Sequence, residues 1–304
     1  MQIHLLGTAA GGGVPQWNCN CAVCREARAG TGRVQPRTQS SVAISADGRS
    51  WFLLNASPDI REQIESFAPL QPSAGKSRNS PIEGVLLTNA DLDHTLGLML
   101  LREGEKLRVH ATSNVRRALT EGISFQPALE SFCGTQWLEP SSVPEPLLRR
   151  DGSPSGLTCQ AIALPGKPPR FMKAKIMEGN VVGYYITDTK TSGRLLFLPD
   201  VAELNGTVLQ WLPQCDALLF DGTFWSETEM RDQGLGNLTA ADMGHAPISG
   251  ATGSLKVLAE LQVRHKIYTH INNTNPILIQ DSPEATAVRA AGCAVGCDGM
   301  GFKI

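Results

Sequence analysis

Residues 85–94 read Val-Leu-Leu-Thr-Asn-Ala-Asp-Leu-Asp-His. A short apolar run, long enough for a buried strand, stops at side chains able to bind a metal. Residues 95–101, Thr-Leu-Gly-Leu-Met-Leu-Leu, then resume as an apolar, helix-compatible run. A loop between two buried elements is where a fold places chemistry, because the scaffold fixes the loop while solvent still reaches it. Setting the carboxylates of Asp91 and Asp93 so close together beside apolar sequence and His94 costs repulsion unless a cation or solvent relieves it. The stretch therefore predicts a strand, a metal-binding loop and a helix.

The rest of the chain is compatible with one large α/β domain over residues 1–304. It has no long Ser/Gly linker, charge block or low-complexity tract, and its 41% hydrophobic content is ample for a sizeable core. A net charge of −2 gives a nucleic-acid partner no electrostatic support. No apolar run approaches the roughly 20 residues that cross a bilayer, so membrane insertion is not expected. Residues 1–7 (Met-Gln-Ile-His-Leu-Leu-Gly) read as a first strand and not as a signal peptide. Cys19, Cys21 and Cys24 cluster in a chain without an export signal, which points to a metal and not to a disulfide framework. A cytoplasmic location is expected, and the oligomeric state is left open.

Strand-like runs recur at residues 2–6, 41–44, 51–55, 84–87, 107–110, 157–163, 181–187, 194–198, 217–220 and 266–269. Helix-like segments cover 59–67, 94–103, 113–122, 239–249, 250–261 and 283–291. Grouped strands with interspersed helices and Gly/Pro turns fit a layered α/β domain. Segments 71–81 and 164–176, rich in Pro, Gly, Ser and Lys, read as exposed loops.

Three further apolar runs end on a polar side chain, at Asp200, Asp221 and His270. Neighbouring strand ends bring such residues together, so Asp93, His94, Asp200 and His270 form a candidate nitrogen/oxygen site for iron, manganese or zinc. An Asp after a strand also serves as a helix cap or turn former, and a lone His as a hydrogen-bonded surface residue. His245, between Gly244 and Ala246-Pro247, reads either as a proton donor or acceptor or as a helix-capping residue. The three thiols at 19, 21 and 24 suit a structural zinc, for which Asn272, Asn273, Cys293 and Cys297 are candidate fourth ligands; the alternative is a set of free thiols. The glycine-rich residues 7–15 lack the ending of a phosphate loop and read as a turn that lets backbone come close to the site. Cys133, Cys159 and Cys215 read as core residues, and His4, His110 and His265 as structural ones.

Taken in order, Leu6-Gly7-Thr8, Cys19-x-Cys21-x-x-Cys24, Asp91-x-Asp93-His94, Leu198-Pro199-Asp200, residues 221–225 (Asp-Gly-Thr-Phe-Trp), Met243-Gly244-His245 and residues 269–275 (Thr-His-Ile-Asn-Asn-Thr-Asn) resemble the coenzyme PQQ (pyrroloquinoline quinone) synthesis protein B family. That family lies within the metallo-β-lactamase superfamily, and the resemblance covers essentially the whole chain. It implies an αβ/βα sandwich of two mixed sheets flanked by helices, with the site at one edge. The spacing Asn89-x-Asp91-x-Asp93-His94 has the frame of the superfamily's His-x-His-x-Asp-His motif, with Asn89 and Asp91 in the places of its first two histidines. By the same resemblance Asp93 and His94 match the pair that binds the second metal, Asp200 the bridging aspartate and His270 the last histidine. The histidine expected after a strand ending near Leu164 is missing, where Pro165-Gly166-Lys167 stands.

The resemblance thus implies a dismantled first-metal site and an intact second one. Two-metal hydrolysis uses both ions, whereas a one-metal site suits redox use of O₂ when Fe(II) is bound, with Zn or Mn as other occupants. It also implies a structural zinc on Cys19, Cys21 and Cys24, with Asn273 at the position where related phosphodiesterases place a distant histidine. Asp221 and His245 resemble an acid–histidine pair that assists proton transfer in RNase-Z-like relatives, and Asp91 completes the metal shell or orients a ligand. The implied function is PQQ biosynthesis, as an iron-dependent oxygenase that hydroxylates the tyrosine ring of a glutamate–tyrosine precursor cut from a small ribosomal peptide. O₂ would be co-substrate and other proteins of the pathway its partners. The alternatives are a soluble carrier of PQQ or its precursor towards the periplasm, and a metal-dependent hydrolase.

Overall fold

A computed structural model describes residues 1–172 and 176–304. Among them, fourteen strands form two seven-stranded mixed sheets. The strands are β1 (Gln2–Gly7), β2 (Ser41–Ser45), β3 (Trp51–Leu54), β4 (Ile82–Leu86), β5 (Leu107–His110), β6 (Thr135–Leu138) and β7 (Glu145–Leu148), then β8 (Pro154–Leu164), β9 (Val181–Asp188), β10 (Arg194–Leu198), β11 (Ala217–Asp221), β12 (His265–Thr269), β13 (Ala294–Val295) and β14 (Gly301–Lys303). One sheet runs β14-β1-β2-β3-β4-β5-β6 and the other β13-β12-β11-β10-β9-β8-β7, with helices between the strands.

The described residues group into two compact units. The first comprises 1–7, 40–194 and 299–304, the second 8–39 and 195–298. In the first unit β3, β4, β5 and β6 run parallel. Their apolar faces pack with Ile60, Leu98, Val115 and Leu129 from the intervening helices into a dry core. In the second unit β10, β11, β12 and β13 run parallel, with Leu198 beside Phe220 and Phe220 beside Tyr268. Residues 217–221 are buried throughout. Strands buried on both faces read as continuous apolar runs, which is why this stretch shows no alternation. In-register parallel strands also end at one level, and the loops beyond their carboxyl ends are where such sheets place ligands.

The ten expected strands are all present with some ends moved: β8 runs Pro154–Leu164 where 157–163 was expected, β4 runs Ile82–Leu86 where 84–87 was, and β3 stops at Leu54. Three expected helices need correction. The run 94–103 is broken into Leu92–Thr95, Gly97–Leu100 and a 3₁₀ turn Leu101–Glu103. At the break Gly97 N–H donates to the Ala56 carbonyl at 2.9 Å. A Cβ at Gly97 would lie 2.3 Å from the Ser57 oxygen, so two backbones meet where no side chain fits. The segment 239–249 forms one turn, Ala240–Met243, started by a Thr239–Asp242 capping box and stopped by Gly244 at φ 89°. The segment 250–261 becomes helical only at Ser254. The short helices Ala22–Ala29, Phe125–Glu130 and Gly206–Trp211 and the edge strands β6, β7, β13 and β14 were not expected. Residues 71–81 form an exposed loop; of 164–176, residues 173–175 lie outside the described residues. Among the described residues no helix is long and apolar enough to cross a membrane.

Candidate metal centre

In the first unit the stretch after β4 is held from behind. Tyr184 Oη donates to the Leu87 carbonyl at 2.8 Å, and Val182 N–H to the Thr88 carbonyl at 2.8 Å. Asn55, directly after β3, faces Thr88: its Nδ2 lies 3.0 Å from Thr88 Oγ1, and its Oδ1 accepts from Thr88 N–H at 2.9 Å. Asn55 adopts the left-handed region at φ 63°, which asparagine tolerates better than most residues. Thr88 Oγ1 in turn sits 3.1 Å from His94 Nδ1. His94 is fully buried on the turn Leu92–Thr95, and its Nε2 lies 3.8 Å from the Asp93 carboxylate. An ion taken by that nitrogen has a carboxylate at hand.

The neighbouring positions have other uses. Asn89 Oδ1 accepts from Asp91 N–H at 2.9 Å, so it shapes the turn. Asp91 is exposed at the start of that turn, where its carbonyl accepts from His94 N–H and Thr95 Oγ1. β8 ends at Leu164, and a Cβ at Gly166 would lie 2.1 Å from Val181 Cγ2. No side chain fits there, least of all an imidazole.

The second unit carries a denser cluster. Asp221 ends β11 with no exposed surface. Its Oδ2 accepts from Val201 N–H at 2.8 Å and lies 2.7 Å from His245 Nδ1. Its Oδ1 accepts from Thr223 N–H at 2.9 Å and from Thr223 Oγ1 at 2.6 Å. Thr223 Oγ1 is also 2.9 Å from His270 Nδ1. Its single proton is drawn to the carboxylate, the stronger and nearer acceptor, even though the His270 carbonyl is also within 2.9 Å. The oxygen is then an acceptor for His270 Nδ1–H, which leaves Nε2 of His270 with its lone pair for a metal. Orienting a ligating histidine through its other nitrogen is the usual second layer of a metal site.

His245 resolves in the same way, with Nδ1–H on Asp221. Its ring stacks on His270 with centroids 5.5 Å apart. Burial works against charging His245, but the Asp221 carboxylate outweighs it and holds its pKa above the ordinary imidazole value. Burial likewise works against Asp221, and the neighbouring His245 reverses it, so this carboxyl stays below its ordinary range. Asp200, just past β10, is buried, with Oδ1 3.8 Å from His270 Nδ1. The ligand atoms of Asp200, His245 and His270 lie within 4.8 Å of one another. His245, expected from the sequence as a proton carrier, therefore also stands among metal-capable groups.

Backbone anchors hold the His270 loop. Thr8 O and Ala10 N–H pair with Ile271 on either side, each at 2.9 Å, so the glycine-rich segment does bring backbone against this loop. Asn275 Nδ2 donates to the Gly222 carbonyl at 2.9 Å. These bonds retain His270 in the left-handed region at φ 55°, a conformation costing about 1–3 kcal/mol for a residue with a side chain.

A separate sulfur site lies in the same unit. The sulfurs of Cys19, Cys21 and Cys24 lie within 4.8 Å of one another. Cys21 caps the helix Ala22–Ala29, its Sγ accepting from Cys24 N–H at 3.4 Å. Arg28 pins the loop by donating to the carbonyls of Cys19 at 2.5 Å and Gln16 at 2.6 Å. Burial and the adjacent thiols push Cys21 up to about 12. Burial opposes ionisation of Cys19 too, but the Cys21 N–H and neighbouring hydrogen bonds lower its pKa. Such a trio ionises fully only around a cation. Of the four candidate fourth ligands, Asn273 is at the sulfurs, its Nδ2 3.3 Å from Cys24 Sγ. Asn272 is turned instead to Thr274 Oγ1 at 2.5 Å. Cys293 and Cys297 join no metal-capable group among the described residues.

Thr88, Asn55 and Thr223 were not singled out by the sequence. Threonine is common at strand ends; the available signal was position, since Thr223 follows Asp221 by two residues and Thr88 opens the Asn89-Ala90-Asp91 turn.

A family model described as beta-lactamase superfamily domain matches residues 50–271. The coenzyme PQQ synthesis protein B of Ectopseudomonas mendocina is 43% identical, the alignment covering 100% of both chains. That of Methylobacterium nodulans is 42% identical over the same full extent. The crystal structure of zinc-bound PqqB from Methylobacterium extorquens superposes with a TM-score of 0.90 at 39% identity, covering 100% of each chain. The chain belongs to the coenzyme PQQ synthesis protein B family of the metallo-β-lactamase superfamily.

Proposed function

We propose that this protein is an enzyme of PQQ biosynthesis that hydroxylates the tyrosine ring of a peptide-derived glutamate–tyrosine precursor. Asp93, His94, Asp200 and His270 would together hold one Fe(II) ion, Zn or Mn being able to occupy the same donors. The donor set fits the metal: two imidazoles with carboxylates make a nitrogen/oxygen site of the kind used by non-haem iron oxygenases. The observation that carries the reading is the loss of the superfamily's other metal position. Asn89 is spent on the backbone of Asp91, and Gly166 has no space for a side chain. Hydrolysis by two ions, one activating water and one holding the leaving oxygen, would lack the histidines that the superfamily places at its first metal position.

Iron bound at these residues supplies the redox chemistry that activates O₂. In the overall reaction a ring C–H becomes C–OH, one oxygen atom of O₂ enters the ring, and the other leaves as water with two electrons and two protons from a reductant. The protein's part is positional and acid–base. Thr223 and Thr88 hold the two imidazoles by their Nδ1 atoms. His245, fixed by Asp221 at Nδ1, can take up or return a proton at Nε2, and the buried Asp221 charge stabilises its cation. Asp91, exposed beside Asp93, orients a ligand from the solvent side. The cysteine loop would hold a structural zinc, with Asn273 or a water as fourth ligand, and other proteins of the pathway would deliver the precursor.

The test is anaerobic reconstitution with Fe(II), then mixing with O₂, a reductant and a tyrosine-containing precursor while following mass. Gain of one oxygen atom, lost in His270→Ala, is the expected result. Tight binding of PQQ without turnover would move the protein to a carrier role, and metal-dependent cleavage of a simple phosphodiester would make it a hydrolase.

A further inference from the structure

Two residues past His270, Asn272–Asn275 form a turn closed by Asn275 N–H on the Asn272 carbonyl at 3.0 Å. Both ends of the turn are fastened to the segment that orients His270. Asn272 N–H donates to the Thr223 carbonyl at 3.1 Å, and Asn275 Nδ2 to the Gly222 carbonyl at 2.9 Å. The tip of the turn rests on the cysteine loop. Asn273 is buried there, with Nδ2 3.3 Å from Cys24 Sγ and 3.7 Å from Cys21 Sγ, and its carbonyl accepts from the Cys21 thiol at 3.2 Å. One short segment, all within the second unit, thus touches the sulfur cluster on one side and the mount of His270 on the other. Thiolates only accept hydrogen bonds, so an amide oxygen turned towards them would set lone pair against lone pair. Asn273 faces them with N–H, which leaves the fourth position of a bound zinc to water. A metal taken up by the three sulfurs displaces their protons. The weak S–H bond to the Asn273 carbonyl goes, and the N–H bonds of Asn273 come to end on charged sulfur, which makes them about twice as strong.

We propose that Asn273 is a positioning residue that transmits the state of the cysteine loop to His270. With a metal on Cys19, Cys21 and Cys24 the turn is held and His270 is set for its own ion; without one the turn loosens and that ion is bound more weakly. The inference rests on the reading that His270 ligates an ion, and it gives the cysteine loop a part in that site beyond ordering its own segment. The left-handed backbone of His270, at φ 55°, makes the link effective, because a residue in a sparsely populated conformation relaxes once its surroundings loosen. Coupling between two binding sites is reciprocal, so an ion at His270 tightens zinc on the cysteines by the same factor. Zinc on thiolates is bound tightly enough to stay in place through such a change, so the coupling shows as affinity and not as metal content.

The experiment titrates Mn(II), which favours oxygen and nitrogen donors over thiolate, into the full chain and follows the free ion by electron paramagnetic resonance. Wild type carrying one zinc on its cysteine loop is expected to bind Mn(II) about tenfold more tightly than wild type stripped of zinc, within the usual range of such couplings. Returning one equivalent of zinc should restore the affinity. Cys19→Ala removes one thiolate and keeps the Cys21 and Cys24 sulfurs against Asn273; it should bind Mn(II) as the stripped protein does and not respond to zinc. Asn273→Ala should hold zinc on its cysteines and yet bind Mn(II) equally with and without it. A fold that was merely destabilised would lower the affinity and keep the dependence. The double variant should be no worse than either single one, since both act through one link. Mn(II) affinity that ignores zinc in the wild type, or a zinc dependence that survives in Asn273→Ala, overturns the proposal. Because the readout is ion binding, a protein that shows the coupling and inserts no oxygen counts against the hydroxylase reading and leaves this result standing.

Discussion

His94 in the first unit and His270 in the second are presented by the same device with different electrostatics. Each follows a parallel strand, His270 directly and His94 on the short turn beyond it, and each has a threonine hydroxyl at its Nδ1, Thr88 at 3.1 Å and Thr223 at 2.9 Å. Behind Thr88 stands the amide of Asn55, which offers both a donor and an acceptor. The Thr88 hydroxyl can therefore turn either way, and nothing in that chain dictates the tautomer of His94. Behind Thr223 stands the carboxylate of Asp221, which can only accept. It fixes the hydroxyl, and through it the tautomer of His270. Backbone strain is also divided unequally. Behind His94 the left-handed residue is Asn55, whose type tolerates it; in the second unit it is the histidine itself. Orientation by a charge, with the histidine's own backbone under strain, makes a more pH-sensitive mount than orientation by an amide.

The strongest way to break this comparison is to remove each imidazole. His94→Ala and His270→Ala are both expected to lose the proposed active-site ion altogether, while any metal held by Cys19, Cys21 and Cys24 is retained. Metal analysis of the purified variants reads this directly. If His94→Ala keeps its ion with wild-type affinity, the centre belongs to Asp200, His245 and His270 of the second unit alone, and the parallel with His94 has no chemical meaning.

The next effect concerns pH. The second unit has another buried carboxyl behind its loop: Glu229 accepts from Trp225 N–H at 2.6 Å and from the Thr274 hydroxyl. Burial pushes it up to about 7 from an ordinary 4.5. The folded state then holds the Glu229 proton more tightly than the unfolded state. Its contribution is full below about 4.5 and is lost as pH rises through about 7, which at about 1.4 kcal/mol per pH unit amounts to roughly 3 kcal/mol. Urea unfolding of the zinc-loaded protein should show wild type losing that amount, relative to Glu229→Gln, between pH 4.5 and 8. Parallel curves for the two proteins would mean that the carboxyl is not buried as drawn. The groups behind His94, Asn55 and Thr88, do not titrate, so no matching dependence is expected from them.

How much of this was visible in the sequence follows from what each feature is made of. The parallel strands were legible because burial on both faces writes them as unbroken apolar runs, as in Leu195-Leu196-Phe197-Leu198. The edge strands β6 and β7 were not, because they are short and partly exposed. The helix after His94 was read too long because Gly97 acts through a backbone contact with Ala56 and Ser57, which leaves no mark in the spacing of apolar residues. Asp93, His94, Asp200 and His270 stood out because their side chains announce metal chemistry. Thr88 and Thr223 did not, since a threonine's role is set by which groups the fold brings to its oxygen. An open pocket beside His245 was equally hidden, being assembled from residues 202–209, Glu227 and residues 241–257, which are far apart in sequence.

The smallest expected effect is also the sharpest test of the comparison. Thr223→Val and Thr88→Val each replace a hydroxyl by a methyl of similar volume in a buried position. Loss of an outer partner of a metal-ligating histidine typically costs about 10–100-fold in metal affinity. Thr223→Val should fall at the upper end, because it leaves Asp221 Oδ1 without its hydroxyl donor and His270 Nδ1–H without an acceptor. Thr88→Val should cost about tenfold or less, because the neutral Asn55 amide loses less when a partner goes. Serine at either position should restore wild-type affinity, which separates the hydroxyl from packing. Metal affinity measured with a competing chelator decides between the outcomes. Equal losses would mean that the charge behind Thr223 adds nothing to the hold on His270; a larger loss at Thr88 would mean that the amide behind Thr88 matters more than that charge.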